Sequence, residues 1–532
     1  MVRRDAIVVG AGVNGLLTAT LLARSGLAVT LLEKDDRVGG CARTDEIAPG
    51  FRCPTLAHAA AIDPAIVRTL DLGRHGLRIV RPAAAACAPT RDGRALILWN
   101  DAARAGASIR AFSAKDEEQY PRFLHSFAKI SAVLRALAVT PPPSIDDPTA
   151  SDAIEMLKTG RRFRALGKAD AYRMLRWMPM AVADLAGEWF EGEPLRATIA
   201  AGGVLGSFLG PRSAGSAAVL LMLGAGEGHP IAGGWSVAGG PGALADAFAA
   251  AARQAGVEIR TGAAVARIEA ADGVASGVAL TSGETLTARA VVSSADPKRT
   301  LLGLLDPIHL APEIVRRVQN IRTHGTLAKI NYAVSSLPRI HGVDTLHGAE
   351  RPAALSGRIR LARGIDGIER AFDAAKYGTF ADEPWIELTI PSIADPTLAP
   401  HGQHVVSAYV QYAPYHLRGT GWDAERDRLA VAATRTIEQY APGFESSIVA
   451  RTVTTPLDLE RIYGLTGGHI FHGELSLDQW FVTRPLLGWA RYRTPIDRLY
   501  LCGSGTHPGT GLDGRSGSLA AREIVRDVKG KR

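Results

Sequence analysis

An α/β fold is what this sequence predicts, and three glycine-rich stretches near its start, middle and end predict it. Each opens a helical pattern, and the first and last also follow a short apolar run of the kind a strand buried on both faces carries. With 532 residues and 46% hydrophobic content, the chain can bury a large core in more than one domain.

The N-terminal stretch comes first. "DAIVV", residues 5–9, reads as a strand, and Gly10, Gly12 and Gly15 follow as G-x-G-x-x-G. A helical pattern runs from Leu16 to Ser25 and closes on Gly26, where a helix takes a left-handed cap. A second strand, "LAVTLLE", ends in Glu33, with Lys34 beside it. Strand, turn, helix and strand in one βαβ unit make the glycines a dinucleotide-binding signature of the Rossmann type. Gly10 permits the tight turn, Gly12 lets the backbone approach a pyrophosphate, and Gly15 lets helix and strand pack closely. The helix N-terminus offers N–H groups and partial positive charge. Glu33 suits ribose hydroxyls and repels a 2′-phosphate, which leaves FAD or NAD.

"RVGGCART" decides between them. Arg37, Gly39, Gly40, Arg43 and Thr44 stand just after the acid, in a pattern that resembles the R-x-G-G-x-x-x-[ST] signature of the amine oxidase and phytoene desaturase superfamily. The resemblance implies FAD as cofactor. It implies a glutathione reductase-like, Rossmann-type FAD-binding domain interleaved with an α+β substrate domain. The expected pieces are FAD-binding over 1–90, a helical substrate part over 91–225, FAD-binding again over 226–300, substrate domain over 301–480 and FAD-binding over 481–532.

The middle stretch, "VAGGPGALADAFAAAARQAGVEIRTGAAVARIEAADG", reads as a glycine turn, a helix from Gly242 to Gln254 and strands near 258–260 and 263–269. Asp272-Gly273 is a hairpin turn. Relatives bind adenine through the backbone of the matching strand, which points to Val265. The last stretch, "LYLCGSGTHPGTGLDGRSGSLAAREIV", is a strand, a glycine loop and a helix; Gly503 and Gly511 would meet the pyrimidine end of a flavin. "THPG" resembles carotenoid desaturases, whereas Thr510, Asp513 and Arg515 depart from them. "GGHIFHGELSLDQWF" and "LCGSGTHPG" resemble most closely the pyridine nucleotide-disulfide oxidoreductase domain-containing protein 2 group. That group name does not describe this chain: its four cysteines, Cys41, Cys53, Cys87 and Cys502, include no C-x-x-C pair, so neither a redox disulfide nor a zinc knuckle is available.

Other features have plainer readings. "LGAGEGHP", Leu223 to Pro230, lacks a third glycine, a following helix and a downstream acid, so it is no nicotinamide site. His469, His472 and Glu474 lack the spacing of a metal site, so no metal is expected; their other readings are a polar wall near the flavin or substrate, or plain loop structure. His507, inside the last glycine loop, and His58, after the R-x-G-G segment, are the candidate catalytic side chains, as neutral imidazoles able to orient substrate or move a proton. The net charge of +8 is spread along the chain without a basic run interleaved with aromatics, so no nucleic-acid face is expected. "MLKTGRRFRALGKADAYRMLRWMPM", Met156 to Met180, reads as an amphipathic helix pair, with peripheral membrane contact as its second reading. "MVRR" and the apolar run after it mimic a signal peptide, but the glycines at fixed offsets belong to a phosphate turn. The expected location is cytoplasmic, or the mitochondrial matrix in a eukaryote.

The expected chemistry is hydride transfer between a carbon of an apolar, lipid- or isoprenoid-like substrate and flavin N5, with oxygen or a quinone as electron acceptor. The resemblance leaves two alternatives. One is an amine oxidase, although Ser504 stands where those relatives carry an acid. The other is a non-catalytic flavoprotein regulator with a protein partner.

Overall fold

The first apolar run becomes a strand, Ala6–Val9, because all four side chains are buried and helices can cover both faces. The computed structural model, which describes residues 4–58, 62–145, 148–231 and 235–530, places this strand at the centre of a five-stranded parallel sheet. The order is Leu499–Leu501, Ala290–Ser293, Ala6–Val9, Val29–Leu32, Glu258–Arg260. Every neighbouring pair is parallel. Strands separated by hundreds of residues thus complete one sheet, as three separate glycine stretches require.

The helices that those stretches open also meet. Val13–Arg24 packs against both Pro241–Gln254 and Arg515–Gly530, and Leu16, Leu17, Phe248, Leu519 and Ile524 share one core. Asp272 and Gly273, at φ 50° and 73°, form the two-residue turn between the antiparallel strands Val265–Ala271 and Val274–Leu280.

A second, seven-stranded sheet runs Ile448–Thr454, Leu327–Val334, His404–Gln411, Ile386–Thr389, Arg358–Leu361, Ala84–Pro89, Ala95–Trp99. The boundary expected at residue 90 falls on the last hairpin of this sheet. Ala84–Pro89 already pairs in parallel with Arg358–Leu361 and antiparallel with Ala95–Trp99, so the chain enters the second sheet at residue 84. The hairpin "PTRDGRA" turns inside that sheet, not between domains. Helices follow from Ala102 to Ala225, with Ala114–Ala138 the longest of them at 25 residues.

Candidate cofactor and active site

The first glycine turn lies at the carboxyl end of the central strand, where a doubly wound sheet takes its ligand. Its three glycines differ in what they do. Gly10 has φ 93°, and a Cβ there would come within 2.5 Å of Ser294 Oγ. A Cβ on Gly15 would lie 2.0 Å from the Gly10 carbonyl oxygen, so that glycine sets the distance between helix and strand. Gly12 has ordinary extended backbone, φ −70° and ψ 172°, and nothing lies within 4 Å of where its Cβ would be. Open space therefore stands over the N-terminus of Val13–Arg24. No side chain caps that helix and its first turn has no acid, so its free N–H groups and positive end are left for an anion.

The R-x-G-G segment backs onto this turn. Gly39 N donates to Ala11 O at 2.9 Å, and a Cβ on Gly40 would sit 3.3 Å from Gly12 Cα. A cleft opens above them. The strand order puts Glu33 to one side of the central strand and the loop of Ser504 and Leu512 to the other, and these line the cleft together with Val265. Glu33 Oε2 accepts from Ala11 N at 2.7 Å and Oε1 from Asp35 N at 3.1 Å, which orients the carboxylate. Burial pushes its carboxyl above the usual range, against the lowering effect of those two bonds. The residues present fit a dinucleotide: an uncapped helix N-terminus over open space, an oriented ribose acid, and a long groove.

Of the other expected residues, Gly10, Gly12, Gly15, Glu33, Lys34, Gly39, Gly40 and Val265 line the cleft, and Lys34 Nζ donates to the Ile462 carbonyl. Arg37, Arg43 and Thr44 are not among the lining residues. Arg37 pairs with Asp45 at 2.7 Å, and Arg43 with Asp35 at 3.2 Å and Asp45 at 3.4 Å. Thr44 Oγ1 accepts from Gly242 N at 3.0 Å, fastening the segment to the helix of the middle stretch. These three hold the cradle together from behind. Gly503 and Gly511 support the wall through their neighbours Ser504 and Leu512; a Cβ on Gly503 would lie 2.3 Å from Ser294 O. "LGAGEGHP" begins inside the helix Ser216–Ala225 rather than after a strand.

The two candidate histidines are buried and neither lines this cleft. His507 Nε2 lies 3.0 Å from the Leu137 carbonyl, so it ties the last glycine loop to the end of the long helix. Burial drops its pKa to about 4. The unfolded chain therefore takes up a proton that folded His507 refuses. Stability should be whole above pH 6.5 and fall as pH drops from there toward 4, by about 3 kcal/mol in all. Urea melts across that range should show a limb that His507→Gln flattens; an unchanged limb would contradict the burial. His58 stacks on Tyr409 with ring centroids 3.5 Å apart, and its backbone N donates to Tyr409 Oη at 3.0 Å.

Further residues join the site beside the motif residues. Asn14 Nδ2 donates to Ser504 Oγ at 3.2 Å while its Oδ1 accepts from Gly517 N at 3.2 Å, joining first and last helices. His472 lines the cleft, and burial drops its pKa to about 4. Arg484 is fully buried and gives its guanidinium only to backbone carbonyls. In the second sheet, Lys329, Tyr409, Glu387 and Arg360 are cross-strand neighbours in one buried row. Glu387 accepts from Arg360 Nε at 3.0 Å and pairs also with Arg358. Lys329 Nζ sits 4.5 Å from the Tyr409 ring centroid with no hydrogen-bond acceptor among the described residues, and burial pushes its amine well below the usual range. Tyr409 packs in one cluster with Cys41, which lines the cleft.

A dinucleotide seat on a Rossmann sheet, closed by a C-terminal glycine loop and set beside a second sheet, defines a flavin-dependent oxidoreductase. The chain belongs to the flavin-containing amine oxidoreductase family, whose model matches residues 108–525; a model of NAD(P)-binding Rossmann-like domains matches residues 8–71. Its cofactor is FAD. The chain is 37% identical to pyridine nucleotide-disulfide oxidoreductase domain-containing protein 2 of Rattus norvegicus, over 99% of this chain and 94% of that relative. It is 28% identical to the lycopene-forming phytoene desaturase of Pantoea ananas, over 97% of each. Among solved structures, an oxidoreductase from Methanosarcina mazei shares the fold with a TM-score of 0.61 at 16% identity, over 98% of this chain and 99% of that one.

Proposed function

We propose that the protein is a dehydrogenase or desaturase that removes hydride from an uncharged carbon of an apolar substrate. When bound, FAD supplies a two-electron acceptor that takes the hydride and hands the electrons on to oxygen or a quinone. One observation carries this reading against amine oxidation. The carboxylates lining the cleft, Glu33 and Asp35, both stand at its ribose end. Around Ser504 and Leu512 the lining holds His472, which burial keeps neutral, and no acid that would receive an ammonium group. The likeness to phytoene desaturase over nearly the whole chain supports the same class. Of the chain's own groups, Asn14 and Ser504 fix the glycine loop to the first helix.

Lys329 offers a separate check. An amine buried without an acceptor costs stability, so Lys329→Met should melt at or above the wild-type temperature, within about 1 kcal/mol of neutral or stabilised. If the amine serves the site beside Cys41, the same variant should reduce its flavin at least tenfold more slowly, by about 1.4 kcal/mol of barrier. Stopped-flow reduction with wild-type kinetics would assign Lys329 no part in the reaction.

The deciding experiment is anaerobic. Purified yellow protein is mixed with lipid and isoprenoid extracts, and separately with amines, while flavin absorbance is followed. Bleaching by the apolar extracts supports the proposal. Bleaching by amines alone, or by nothing, overturns it in favour of an amine oxidase or a non-catalytic flavoprotein.

A further inference from the structure

The helices Ala150–Ala165 and Gly167–Trp177 present an unusual outer face. Ile154, Met156, Leu157, Tyr172 and Leu175 are each more than half exposed. Ile154, Leu157 and Arg161 follow one another on one side of the first helix, and Lys168, Tyr172 and Leu175 on one side of the second. The two helices carry seven Lys and Arg against three carboxylates. All three carboxylates are engaged: Asp152 with Arg491 at 3.0 Å, Glu155 with Lys158 at 2.6 Å, and Asp170 with Arg173 at 2.7 Å. Arg161, Arg162, Arg164 and Lys168 are exposed, with no ion-pair partner among the described residues.

The pair is held at its base. Thr149 and Asp152 form a capping box, and Arg491 grips Asp152. The long helix from which the pair hangs is tied through Leu137 to His507 of the last glycine loop. Among the described residues no helix is long and apolar enough to cross a membrane.

From this surface we infer that the helix pair docks the protein on a membrane rich in anionic lipid. Apolar side chains projecting between unpaired cations match the boundary between acyl chains and anionic headgroups on both counts. An exposed apolar patch of this kind costs solubility unless something covers it. The inference is independent of the flavin chemistry proposed above.

The test is flotation of holoprotein with phosphatidylcholine vesicles, with and without phosphatidylglycerol. Wild type should partition about tenfold or more strongly onto the anionic vesicles and lose that preference at high salt. Arg161→Glu/Arg164→Glu should lose the preference, and Leu157→Ser/Leu175→Ser should weaken binding to both vesicles. All four side chains are exposed, so visible spectrum and melting temperature should match wild type. Absence of wild-type protein from the anionic vesicles, or variants floating like wild type, would overturn the inference. Self-association that Leu157→Ser/Leu175→Ser abolishes, without vesicle binding, would overturn it in favour of a protein interface.

Discussion

A Gly12→Val chain is expected to purify folded and colourless. Gly12 sits in extended backbone that any residue adopts, and no atom lies within 4 Å of its absent Cβ. Valine there meets no protein atom at Cβ and also narrows the unfolded ensemble, so the melting temperature should stay within about 1 kcal/mol of wild type. What the valine does fill is the space over the uncapped helix, where phosphates need close backbone approach. FAD affinity should drop at least about a hundredfold, or roughly 2.7 kcal/mol. Titration of apoprotein with FAD, read by flavin fluorescence quenching, measures this. Gly15→Val is the contrast: its Cβ would lie 2.0 Å from the Gly10 carbonyl oxygen, so helix and strand must separate and the chain should be insoluble or melt early. A Gly12→Val protein as yellow as wild type would remove the pyrophosphate from this turn.

Loss of Arg484 should be the most damaging single change away from the cofactor turn. Its guanidinium donates to the carbonyls of Ser504 at 2.8 Å, Phe471 at 2.7 Å, Glu474 at 2.9 Å, Gln479 at 3.2 Å and Gly473 at 3.4 Å. Burial lowers its pKa to about 10, so the side chain stays cationic at neutral pH. It stitches the 471–479 segment to the last glycine loop, and Gly509 leaves room for it: a Cβ there would lie 2.0 Å from Arg484 Nε. Arg484→Met strands several buried carbonyls at about 1–3 kcal/mol each, so a total of about 3–5 kcal/mol is expected. Thermal melts of apo and FAD-loaded protein should both fall, and FAD should be retained poorly because Ser504 lines the cleft. Lysine in its place keeps the charge but not the planar fork, and should recover less than half of the loss. Melts indistinguishable from wild type would mean that water replaces the fork at little cost.

Much of the cofactor half was legible because its signals are local. Gly10, Gly12 and Gly15 stand at fixed offsets between a buried strand and a helix, and Glu33 ends the next strand, so spacing alone identifies a βαβ unit. Asp272-Gly273 was readable for the same reason: two residues with positive φ joining two strands. Arg37, Arg43 and Thr44 were recognised as a motif, but their contacts with Asp35, Asp45 and Gly242 depend on how three chain segments meet. Arg484 left no local trace, since its acceptors are backbone carbonyls brought together by folding. The row Lys329, Tyr409, Glu387 and Arg360 did leave one: "LAKINYAV" and "WIELTI" each set one charge in an apolar run, and "GRIRLA" sets two. Such charges become a single feature only through strand register, which pattern alone does not supply. Ala84–Pro89, "AAACAP", is too small and uniform to read as a strand, so its place in the second sheet leaves no local trace.

The order of strands in the parallel sheet has a consequence for biosynthesis. Ala290–Ser293 is made long after its neighbour, the central strand Ala6–Val9, and the edge strand Leu499–Leu501 later still. Until Leu499–Leu501 and the loop after it are made, the sheet is open on that side and the cleft lacks the wall that Ser504 and Leu512 supply. Cofactor capture is therefore expected only once the loop that carries Ser504 and Leu512 has been made.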